Sequence, residues 1–122
     1  MSPDQSSQPI DPSKLATLNL LIYQLSLLLS DLLTAARATT DQTALTQINN
    51  EYMGVQSCLN FAAQAQAAAN DTLFNQATSA LNTQAKVLED METQVKKIIS
   101  NAALAGRIVG YIVQALALVA KL

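Results

Sequence analysis

After Pro12 the chain contains no proline, and its only glycines are Gly54, Gly106 and Gly110. That scarcity, over the last 110 of 122 residues, constrains the fold more than any other feature of the sequence. A sheet protein needs a turn about every 8–12 residues, and turns draw on Gly, Pro, Asn and Asp for backbone angles that other residues resist. Long helices have no such need. The expectation is therefore all-α: an up-and-down bundle of three to four long antiparallel helices. It occupies residues 13–122 as one domain, which is what this length supports, behind a polar tail at residues 1–12.

The tail holds all three prolines, Pro3, Pro9 and Pro12, among Ser, Gln and Asp. It has too little apolar surface to offset the entropy of ordering it, so disorder is expected. It also lacks the basic n-region and apolar h-region of a cleavable secretory signal. Localisation stays open between the cytoplasm and export without cleavage.

A first helix should start at Asp11 or Ser13 as N-cap, with Pro12 tolerated in its first turn. Leu15, Leu18, Ile22, Leu25, Leu29, Leu32 and Ala36 recur three and four apart as its core stripe. Leu21 and Leu28 widen that stripe, while Leu20, Leu27 and Leu33 lie elsewhere on the cylinder. From Leu15 to Ala36 the only charge is Asp31. A helix apolar nearly all round is a central helix or a membrane-contacting one. Asn19, Gln24, Ser26 and Ser30 interrupt it too often for a clean transmembrane span.

Thr39 and Gln42 have capping-box spacing, which predicts a second helix from there to about Ala69. Its stripe is Leu45, Ile48, Tyr52, Val55, Leu59, Ala62 and Ala69. The alanine-rich end should approach a bulky neighbour closely, and the Leu-rich first helix fits that role. Asn70 and Asp71 mark the next boundary, with Asp71 suited to N-cap the following helix.

The last third repeats in sevens. Phe74, Leu81, Leu88, Val95, Ala102, Val109 and Leu116 are all apolar, and so are Ala77, Met91, Ile98, Ala105, Ile112 and Val119, with Gln84 the exception. Seven unbroken coiled-coil-like heptads favour one C-terminal helix from about Asp71 to Lys121, on the order of 75 Å at 1.5 Å per residue. The competing arrangement is a break at Ser100-Asn101, with Asn101 capping a short fourth helix of an ordinary four-helix bundle.

The residue inventory removes whole chemistries. With no histidine and one cysteine, imidazole metal sites, Ser-His-Asp triads and Cys-His pairs cannot be assembled. Cys58 has no basic neighbour in sequence to stabilise a thiolate, so it reads as a small buried residue. The charges from Lys86 to Lys97 read as a solvated face, with Glu92 and Lys96 in favourable i, i+4 order. There is no phosphate-binding glycine loop, EF-hand loop or paired carboxylate cluster. No catalytic, cofactor-binding or metal-binding residue is assigned, and an enzyme is not expected. A net charge of -2 argues against nucleic acid as a partner.

From Leu104 to Ala120 the only charge is Arg107, and Ala102, Gly106 and Gly110 form a small-xxx-small series. Either this is a well-buried helix whose glycines mark a close crossing, or it is a surface for self-association, a helical partner or a membrane. If the long helix continued past Ser100, a stripe through Val109, Ile112, Leu116 and Val119 would be left exposed and would demand a partner. The candidate interface is thus Ala102, Gly106, Val109, Gly110, Ile112, Leu116 and Val119. The functional expectation is a non-enzymatic helical assembly or adaptor protein acting through helix–helix interfaces. The alternative is a membrane-active protein, pore-forming or lipid-binding, using segments 15–36 and 104–120.

Overall fold

In the computed structural model, residues 9–122 are described. They form α1 (Pro12–Ala38), α2 (Gln42–Gln66), α3 (Asp71–Gln84), α4 (Lys86–Ile98) and α5 (Ala102–Val119), with no strand among them. Ala85 separates α3 from α4 while keeping helical angles (φ -62°, ψ -13°), so these two segments continue as one bent leg. The result is a four-legged, all-α, up-and-down bundle. α1 packs against α2 and α5, α2 against α3 and α4, and α4 against α5.

Short polar side chains set the helix starts. Asp11 caps α1 by accepting from the Ser13 amide at 2.9 Å, and Pro12 occupies the first turn. Asp41, not Thr39, caps α2, accepting from the Thr43 amide at 3.0 Å. The Thr39 hydroxyl instead accepts from the Asp41 amide at 3.2 Å and holds the turn. α2 ends at Gln66, three residues short of Ala69. Asn70 caps α3 through the Leu73 amide at 3.0 Å, which leaves Asp71 in the first turn. Pro9 and Ile10 precede the helix, and Ile10 packs against the core. The rest of the expected tail, residues 1–8, lies outside the described residues.

The buried residues form a continuous core. On α1, Leu18, Leu21, Leu25, Leu28 and Leu32 are fully buried, so the two leucines expected to widen the stripe lie at its centre. Leu15, Ile22, Leu29 and Ala36 flank it, half-buried. Although rich in leucine, α1 is not central: Leu20 and Tyr23 are 57% and 60% exposed, and it stands as one corner of the four. On α2 the core residues are Ala44, Ile48, Val55, Cys58, Ala62 and Ala65. Its alanine-rich end does lie against the start of α1, where Gln66 Nε2 donates to Asn19 Oδ1 at 2.8 Å.

The single long C-terminal helix does not form. Ile99 is extended (φ -109°, ψ 111°), and Asn101 caps α5 by accepting from the Leu104 amide at 3.0 Å. Heptad phase records which face is apolar, not whether the chain continues or turns back. Turning back buries the stripe of α5 within its own chain, on Leu104, Ala105, Ile108, Ile112, Ala115 and Val119. The phase also slips by one residue: Ile108 and Ala115 take the core positions expected of Val109 and Leu116. Earlier, Ala85 and Ile99 are buried in place of Gln84 and Ile98.

The glycines correct a second expectation. Gly106 and Gly110 mark no crossing inside the bundle, because a Cβ on either would meet nothing within 4 Å. The close approach is at Gly54, where an added Cβ would lie 2.5 Å from Val87 Cγ1 on α4. Only a residue without a side chain lets α2 and α4 come that near.

Candidate functional site

The turn at 99–101 divides the seven candidate interface residues. Ile112 and Val119 lie in the core, and Val109 and Leu116 pack half-buried along its flank. Ala102 and Gly106 are exposed and Gly110 half-buried, with open space in front of both glycines. The exposed stripe demanded by a continuous helix therefore does not exist. The small-residue series does exist, and it faces away from the core.

Next to that series is the apolar outer edge of α1. Leu20, Leu27 and Asp31 recur at helical spacing along one side of α1, with Tyr23 beside them, and Asp31 reaches α5. Arg107 Nε donates to Asp31 Oδ2 at 2.9 Å, and Arg107 Nη2 to Asp31 Oδ1 at 3.1 Å, a two-pronged pair. The Asp31 side chain is 13% exposed and that of Arg107 56%. The hydrogen bond to Asp31 raises the guanidinium pKa, so Arg107 stays charged at any working pH.

This pair joins the two most apolar helices of the molecule. Asp31 is the one charge between Leu15 and Ala36, and Arg107 the one charge in α5. Each cancels the other, so the outer face they share carries no net charge. Around the pair the outer sides of these helices present Leu20, Tyr23 and Leu27 from α1 with Ala103, Gly106, Gly110, Val113 and Ala117 from α5, interrupted by half-buried Gln24 and exposed Gln114, each one heptad from a member of the pair. α1 and α5 are each long and apolar enough to cross a membrane, yet only 28% and 33% of their apolar stretches are buried.

Leu20, Tyr23 and Val113 are absent from the sequence-derived site. The signal that could have found them was already present: two apolar segments, each with a single charge, of opposite sign.

Elsewhere the surface is of another kind. On α4, Leu88, Met91 and Val95 turn inward while Lys86, Glu89, Asp90, Glu92, Lys96 and Lys97 are exposed, the solvated face expected. Glu92 and Lys96 do not close an ion pair; among the described residues Asp31–Arg107 is the one formed. Cys58 is fully buried and its thiol is pushed up to about 11 by burial, which makes it a packing residue. Among the described residues no three Cys, Asp or Glu side chains gather as a metal cradle. A solvent-open groove at one end of the bundle is lined by Thr39, Thr40, Asp41, Gln47, Lys97 and Ser100. The chain matches no protein-family model, no curated protein and no solved structure.

Proposed function

We propose that the protein is a non-enzymatic helical assembly or adaptor protein whose working surface is the outer face of α1 and α5. It acts by helix–helix contact, uses no cofactor or metal, and does not bind nucleic acid. One observation carries this reading: an apolar face spanning two adjacent helices, whose only two charges neutralise each other. Apolar surface of that extent in water is the usual mark of an interface. The test is sedimentation velocity of the wild-type chain and of the double variant Leu20→Glu/Val113→Glu. Both positions are exposed, so helix content should be unchanged while association is lost. An association state identical in the two proteins would defeat the proposal.

A second reading, a membrane-active protein, rests on a separate observation: α1 and α5 both have the length and apolarity of a span. Dye release from phosphatidylcholine/phosphatidylglycerol vesicles separates the two, since an assembly protein leaves the vesicles sealed.

A further inference from the structure

Only Ile99, Ser100 and Asn101 separate α4 from α5, and none of them is glycine or proline. The reversal is held by one extended residue, Ile99, and by one capping bond from the Leu104 amide to Asn101. A short hinge whose residues are able to continue the helix is the kind that invites exchange between copies. The apolar repeat around it is out of step with the folded-back chain. Leu81, Leu88 and Val95 are buried, and the same heptad phase goes on through Val109 and Leu116. The reversal nevertheless puts Ile108 and Ala115 in the core and leaves those two half-buried on its flank. In a chain where α4 ran on into α5, Val109 and Leu116 would share the face of Leu88 and Val95.

From the hinge and the repeat together we infer that α5 is an exchangeable element: with the turn at 99–101 opened, two copies trade their α5 helices, each closing the other's bundle. This goes beyond the outer-face reading and makes no use of that face. What α5 needs is present in any second copy. It packs on α1 and α4 and joins Arg107 to Asp31. Exchange remakes the same core and the same ion pair between chains, with no new surface to build, which is why swapping an identical element is a low-cost route to a dimer. The geometry also closes. α4 and α5 run antiparallel about the turn, so after exchange α5 of one copy lies antiparallel to α4 of the other. The two-fold axis then passes between the two opened turns, and no third copy can add.

The test is made in the Leu20→Glu/Val113→Glu chain, whose outer face is disabled, so that its failure and the failure of the outer-face reading are separate. Ser100→Ala/Asn101→Ala, at two exposed positions, favours helix through the turn. By sedimentation equilibrium it should tighten dimerisation at least tenfold with helix content retained. A Gly-Ser-Gly-Ser-Gly-Ser insertion after Ser100, which lets α5 fold back freely, should shift the chain toward monomer. Equal association in the three chains, or monomers throughout, would overturn the inference. Asp31→Arg and Arg107→Asp are then made separately in the Ser100→Ala/Asn101→Ala chain, and the two preparations are unfolded in urea and refolded together. Each alone sets like charges against each other, whereas the exchanged heterodimer restores both opposite pairs. In native mass spectrometry the heterodimer should exceed the two homodimers together at least threefold. A one-to-one ratio would assign the dimer to a contact other than α5 exchange and overturn the inference.

Discussion

Glu51 stands in a core position. Ala44, Ile48, Val55, Cys58, Ala62 and Ala65 recur four and three apart along the buried side of α2, and Glu51 falls in that series between Ile48 and Val55. Its Oε1 is buried without a hydrogen-bond partner, and desolvation raises its pKa from 4.5 to about 7. A carboxyl raised in the folded state holds its proton more tightly folded than unfolded. Its ionisation therefore works against folding as pH climbs from about 4.5, and the loss is complete above about 7. Glu51→Gln, which keeps the shape and removes the charge, should raise the urea midpoint at pH 8. The gain over wild type should shrink on acidification and vanish near pH 4. A gain independent of pH would show that Glu51 is not desolvated. Two leucines one turn apart give a second contrast. Leu25 is fully buried and Leu29 only half-buried, so Leu25→Ala should cost about 2–5 kcal/mol and Leu29→Ala distinctly less. Equal losses in denaturant melts would contradict that placement.

The elements are held by their ends as much as by their faces. Asn101 caps α5 where the chain turns, so Asn101→Ala should cost about 1 kcal/mol. The far-ultraviolet dichroism should hardly change, because burial of Ile108 and Ile112 keeps α5 folded back. A marked rise in helicity would mean that the cap alone prevents a continuous helix. Much of this architecture was legible in the residues: the helical class from the missing prolines and glycines, the Asp11 start, the inward face of α4, the inert Cys58. The path at residues 99–101 was not. A heptad repeat is the same whether the next helix continues or reverses, and the packing of α5 against α1 and α4 decides between them. The glycines misled for a related reason. Small residues mark either a crossing or an open surface, and only the surroundings separate Gly54, tight against Val87, from Gly106 and Gly110. Spacing placed Leu20, Leu27 and Leu33 off the core stripe of α1, and none of them is buried; what it left open is which helix that edge adjoins.

At the scale of the whole molecule, contacts along the chain run mostly between successive legs, and one does not: α1 against α5. Asp31 and Arg107, which join them, are 76 residues apart. That closing contact gives the bundle an order in time. The first three legs can zip together through short turns, each step ordering little chain at once. The flank of α1 beneath α5 waits until the last helix arrives, since distant pairings form against the largest loss of chain freedom. Unfolding should begin where folding ended. Ile112→Val, at a fully buried position of α5, should mainly raise the unfolding rate and leave the folding rate nearly unchanged in a stopped-flow chevron. Val55→Ala, within the earlier legs, should act on both arms. The helix that completes the core would then also be its latch, the first part of the molecule to lift.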